Sequence, residues 1–174
     1  MATVKGGAKL ARALGRIAAR LGEPATLRVG FLEGSTAPNG DSIPLRAALN
    51  EYGHGNVPPR PFFRNMIAAK SGEWPDGIAY QLQATQYDVQ LTLERTGEAI
   101  KGQLQESILD LWSPPLAKST IAKKGFEKPL IEHGDMINAA AWEVRRTNQT
   151  TLSAPNSGSG GFASIAKAAA KPQP

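Results

Sequence analysis

The 174-residue chain has no cysteine, few aromatic residues (6%) and only two histidines, His54 and His133. The missing thiols exclude disulfides, thiolate metal sites and a cysteine nucleophile, so stability must come from packing. No stretch approaches the roughly 18 apolar residues of a membrane span, and the N-terminal MATVKGGAKLARALGRIAARLGEP lacks the apolar core of a signal peptide. The expectation is a protein soluble when made, without membrane contact. Neither a Walker-type Gly-x-x-x-x-Gly-Lys-[Ser/Thr] nor a Gly-x-Ser-x-Gly is present. SGSGG at 157–161 is linker composition, since no strand precedes it.

The histidines have carboxylates nearby, Glu51 before His54 and Asp135 after His133. A site of two histidines and two carboxylates is conceivable, but both histidines lie in Gly-flanked turns, where imidazoles commonly make local hydrogen bonds. No metalloenzyme spacing accompanies them, and no pair of acids is marked for general acid–base work. The expectation is therefore no enzyme, no metal and no cofactor.

Positive charge is abundant in one place. The net charge of +5 resides wholly in residues 1–22, where Lys5, Lys9, Arg12, Arg16 and Arg20 stand without an acid. Their spacing of three and four matches a helix, as does that of Leu10, Leu14, Ile17 and Leu21, so a basic stripe runs beside an apolar one. One reading is a solvated face on a helix docked by its leucines; the sharper one is contact with DNA phosphate or an acidic neighbouring subunit.

Beyond Pro24, TLRVGFLEG places Leu27, Val29 and Phe31 on one side with period two, a half-buried strand. The loop STAPNGDS turns at Asn39-Gly40, and Ser42 and Pro44 start a helix on which Leu45, Ala48, Leu49 and Tyr52 line one face before Gly53 ends it. Pro58-Pro59 favours an extended elbow, and Pro61 opens a helix with Phe62, Phe63, Met66 and Ile67. The two phenylalanines read as core anchors or as a knob for another chain, because neighbours on a helix diverge by about 100°.

A long helix from about Tyr87 to Trp112 carries Leu93, Ile100, Leu104, Ile108 and Leu111, with Gly97 permitting close approach, and ends at Ser113-Pro114-Pro115. LAKSTIAKKG reads as a short helix closed by Gly125, and NAAAWEVRR as a second strand with Trp142 and Val144 on one face. The sum is an α+β fold, a small antiparallel or mixed sheet packed with several helices including one long one. The organisation is a basic amphipathic helix (1–22), a core domain (23–146) and a Gly/Ser/Ala-rich arm (147–174).

RVGFLEGSTAPNGDSIPLRAALNEYGHGNVPPRPFFRNMIA and TGEAIKGQLQESILDLWSPPLAKSTIAKKGFEKPLIEHGDMINAAAWEV resemble a family of tailed-bacteriophage virion proteins, the neck or tail-completion (head–tail joining) proteins and their prophage relatives. The resemblance spans roughly residues 26–146. It rests on the "VGF" strand, Glu51-Tyr52-Gly53, the "PPRPFFR" run and the segment from Pro114 to Met136, with IEHGDM where Asp-Thr-Gly is common. It implies a non-catalytic structural component of the virion, made in the host bacterial cytoplasm. As a ring of six copies it would join the head connector to the tail and leave a channel for DNA. Implied partners are the connector or head-completion protein and the tail terminator or tail tube, with passing DNA as a transient contact. The candidate subunit interface is Pro58, Pro59, Arg60, Pro61, Phe62, Phe63 and Arg64. The basic stripe offers the alternative, a small nucleic-acid-binding protein.

Overall fold

A computed structural model describes residues 7–125, 127–131, 134–146 and 149–152. The order is α1 (Gly7–Leu21), β1 (Ala25–Phe31), α2 (Ile43–Tyr52), α3 (Phe62–Lys70), a short 3-10 turn, α4 (Trp74–Ala84), α5 (Val89–Asp110), α6 (Lys118–Lys124), α7 (Asp135–Ala139), β2 (Ala140–Arg146) and β3 (Gln149–Leu152). This is an α+β fold. The three strands form an antiparallel sheet in the order β1-β2-β3, with Val29 opposite Trp142 and Leu27 opposite Val144. Helix α5 lies across β1 and β2, and α3 and α4 pack on α5.

Alternation puts Leu27, Val29 and Phe31 of β1 and Trp142 and Val144 of β2 on the helix side of the sheet, as the period-two pattern predicts. Phe62, Leu104, Ile108 and Val144 are almost completely buried. Each contributes roughly 1.5–3 kcal/mol by leaving water.

The buried row of α5 is Thr92, Thr96, Gly97, Ile100, Leu104 and Ile108, so its N-terminal half uses threonines where Leu93 was expected. Their hydroxyls are satisfied one turn back: Thr92 donates to the Asp88 carbonyl at 2.6 Å and Thr96 to the Thr92 carbonyl at 2.8 Å. Gly97 has the role its position suggested. A Cβ there would lie 2.7 Å from Trp142 Cγ and 2.9 Å from Leu27 Cδ1. Gly97→Ala should therefore lower the unfolding free energy by about 1–3 kcal/mol, despite the gain in helix propensity of about 1 kcal/mol. Urea titration of the two proteins measures the difference.

On α2 the inward residues are Ile43, Ala47 and Glu51, while the apolar face of Leu45 (59% exposed), Leu49 and Tyr52 (69%) is turned outward. An acid on the inner row hid that row from a reading that counted apolar residues alone. At the other end, the chain expected to become an arm at Thr147 instead continues the sheet with β3, where Val144 pairs with Thr151. The β-branched Thr150 and Thr151 suit a strand. Residues 153–174 lie outside the described residues.

Candidate assembly site

Sequence elements far apart in the chain converge around the start of α3. Pro61 caps this helix without a side-chain hydrogen bond, so its first N–H groups need acceptors from elsewhere. The buried Glu51 carboxylate, from the last turn of α2, accepts from the Phe63 N–H at 2.9 Å and the Arg64 N–H at 3.1 Å. The Arg64 Nε donates to the same carboxylate at 2.8 Å, and its Nη2 to the Glu51 carbonyl at 3.0 Å. A carboxylate at a helix N-terminus also meets the positive end of the helix dipole.

The link between the two helices is tight. Gly53 has φ +77°, and a Cβ there would stand 2.8 Å from the Val57 carbonyl oxygen and 2.9 Å from the Pro59 nitrogen. His54 and Val57 exchange backbone hydrogen bonds at 3.1 and 2.8 Å, closing the turn that lets Pro58-Pro59 run back. The Arg60 N–H then donates to the Asn50 carbonyl at 2.7 Å.

The Arg60 side chain is buried (4% exposed) and donates through Nε to the Pro114 carbonyl at 3.3 Å and through Nη2 to the Pro115 carbonyl at 3.2 Å. Burial pushes its guanidinium below the usual arginine range. The carbonyls of a Pro-Pro pair have no helix or sheet to serve, so the guanidinium fork fits them. Glu51-Tyr52-Gly53, PPRPFFR and the Pro114-Pro115 segment are thus parts of one folded knot.

Of the seven interface candidates, Arg60 and Phe62 turn inward. Phe62 is 1% exposed and meets Phe31 and Phe63 edge-on at 6.1 and 6.4 Å. Their inward direction corrects their assignment to a subunit interface, because both side chains are consumed by this chain's own core and by the proline carbonyls. Pro61 and Phe63 are half-buried, whereas Pro58, Pro59 and Arg64 are exposed. Arg64 lies over the Tyr52 ring at 5.1 Å, extending the exposed α2 face of Leu45, Ala48, Leu49 and Tyr52.

The basic stripe stands in the open. None of α1 is buried, with Leu10 61% and Leu14 56% exposed. This overturns the reading of a helix docked by its leucines. Lys9, Arg12 and Arg16 face solvent, and Arg20 donates to the backbone and side-chain oxygens of Gln86 at 2.9 and 3.1 Å. Lys5 lies outside the described residues.

Among the described residues the conceivable metal constellation is not assembled. His54 is exposed, Glu51 is committed to α3, Asp135 pairs with Arg46 at 3.2 Å, and His133 lies outside the described residues. Among the described residues no three of His, Cys, Asp or Glu gather. Arg46 also holds Asp41 at 2.9 Å and, with Asn39, keeps that carboxyl below its ordinary range.

Sequence reasoning missed a buried lysine. Lys128 (3% exposed) places its ammonium 3.6 Å from the Trp112 ring centroid. Burial lowers its pKa, opposed by the Asp110 carboxylate. The Lys-Pro pair in FEKPLI gave no local signal, because its partner lies sixteen residues earlier.

Two grooves flank this region. One of about 690 Å³ on the outer sheet face is lined by Arg28, Phe63, Glu143 and Arg145, and Glu143 already pairs with both arginines at 3.5 and 2.9 Å. The other, about 380 Å³, runs between α3 and the C-terminal half of α5. Compared with protein-family models, curated proteins and solved structures, the chain gives no match. Among the described residues no helix is long and apolar enough to cross a membrane.

Proposed function

We propose that the chain is a structural virion protein of a tailed bacteriophage. It acts as a subunit of a six-membered neck or tail-completion ring that joins the head connector to the tail terminator or tail tube around a DNA channel. It works by assembly and not by catalysis. The observation that carries this reading is the knot around α3: the motifs on which the resemblance rests are in mutual contact, through Glu51, Gly53, Arg60 and the carbonyls of Pro114 and Pro115. Such a set of contacts gives each motif a reason to recur together as a rigid element.

The uncovered apolar faces of α1 and α2 add support. Leu10, Leu14, Leu45 and Tyr52 are each more than half exposed, and clustered exposure of this kind marks protein contact surfaces. Mass spectrometry of purified particles produced by the genome that encodes the chain tests the reading. The chain should copurify at a fixed ratio to portal protein; particles lacking it would sink the proposal.

The exposed cations of α1 favour a second reading, nucleic-acid binding. If all five basic residues met phosphates, log K would fall with log salt at a slope of about −4.5 for duplex DNA. Filter binding at several salt concentrations decides: tight, steeply salt-dependent binding by the isolated protein favours this reading, and its absence removes it.

A further inference from the structure

At 100° per residue α1 has three faces. Leu10, Leu14, Ile17 and Leu21 form the apolar stripe. Lys9 and Arg16 lie on one flank, and Gly7, Ala11, Gly15 and Ala18 make the other flank small. A nucleic acid would engage the cations and leave the leucines in water. A second α1 packed antiparallel by its leucines would oppose cations to cations, and packed parallel would lay them beside the small flank with no acid to answer their charge. The helix therefore calls for a groove with an apolar floor, one acidic wall and one wall that tolerates close approach.

The groove between α3 and α5 has the apolar floor and the acidic wall, and its α3 wall is low at Ala69. Met66 and Leu111 are buried at its floor, and Trp112, 44% exposed, closes one end. The α5 wall presents Glu106 and Asp110, one helical turn apart and both exposed, while the α3 wall presents Asn65, Ala69 and Lys70. From Gln103 to Trp112 the groove runs about 13 Å, against about 16 Å for the leucine stripe, at 1.5 Å per residue.

The chain's own α1 does not occupy this groove. Arg20 ties it to Gln86, just before α5 begins, whereas Glu106 and Asp110 lie near the far end of that helix, about 30 Å away. We infer that the groove receives α1 of a second copy. Donor helix and acceptor groove sit at opposite ends of α5, so the contact is head-to-tail and repeats from copy to copy, closing when the rotation permits a ring. The one-sided charge on both elements fixes a single seating: basic flank to the α5 wall, small flank to α3. This deepens the ring reading and rests on it for its biological setting.

The absence of native cysteine makes cross-linking unambiguous. Full-length Leu14→Cys and Ala69→Cys proteins, mixed and oxidised, should give a covalent heterodimer at least tenfold faster than Leu14→Cys mixed with Ala122→Cys on α6. Glu106→Lys with Asp110→Lys should weaken self-association at least tenfold by analytical ultracentrifugation, and adding Lys9→Glu and Arg16→Glu should restore it. Circular dichroism checks that each variant remains folded. Equal cross-linking at Ala122, or association unchanged by the acidic-wall variants, would overturn the inference, as would α1 binding to phosphatidylglycerol vesicles with no self-association. A chain present in particles but without the cross-link would sink this contact alone. The cross-link in a chain missing from particles would sink the neck assignment alone.

Discussion

Phe62→Ala should lower the unfolding free energy by about 3–5 kcal/mol, the largest effect expected of any single substitution in the aromatic pair. The ring is 1% exposed and touches Phe31 and Phe63 edge-on. Deletion thus removes apolar burial, two aromatic contacts and the support beneath the first turn of α3. Phe63 is half-buried beside Gly30, so Phe63→Ala should cost roughly half as much, about 2 kcal/mol. Guanidinium denaturation of both variants tests the order. A smaller loss for Phe62 than for Phe63 would contradict the assignment of core anchor and surface neighbour.

That order changes how an assembly defect is to be read. Loss of the proposed ring in Phe62→Ala would follow from loss of the fold, since the side chain has no surface with which to meet a neighbour. Substitutions at Pro58, Pro59 or Arg64, which are exposed, separate assembly from folding. A stable variant at one of these positions that no longer assembles would identify the elbow as a contact in its own right.

The legible parts of the fold were those governed by local periodicity. Leu27, Val29 and Phe31 alternate in a strand and face the core, and Gly97 within an apolar row does mark a close approach of α5 to the sheet. The Ser42 cap forms as its position suggested, its hydroxyl accepting from the Leu45 N–H at 3.4 Å. Sequence patterning failed where a polar residue lies inward and finds its partner at a distance. Glu51 is twelve residues from the N–H it accepts and Arg60 is more than fifty from the carbonyls it binds. Neither pairing leaves a periodic trace. Counting apolar residues consequently picked out the exposed face of α2 and not the buried one, and the seven residues of PPRPFFR were grouped as one interface although Arg60 and Phe62 turn inward. The apolar stripe of α1 was legible as amphipathic, but periodicity cannot say whether a stripe is covered by its own chain or by another.

Glu51→Ala should cost about 3 kcal/mol, because it strands two N–H groups at the start of α3 and removes the acceptor for Arg64 in a site only 6% exposed. Glu51→Gln keeps a neutral acceptor of the same shape and should cost about half as much, since hydrogen bonds to a charged group are roughly twice as strong. Arg64→Ala should cost at most about 1 kcal/mol, as its side chain is 55% exposed and the pair is screened by water. The three values, measured by urea unfolding at neutral pH, distinguish two accounts of the Glu-Tyr-Gly element. If the ion pair governs, Glu51→Ala and Arg64→Ala lose similar amounts. If capping governs, Glu51→Ala loses far more, and Glu51→Gln falls between them. The second pattern is expected, because both N–H groups lose the one carboxylate they donate to, whereas the guanidinium of Arg64 can turn to water. An acid would then be required before Tyr52-Gly53 for reasons internal to the subunit: it sets the angle at which α3 leaves α2, and with it the direction of the groove wall between α3 and α5.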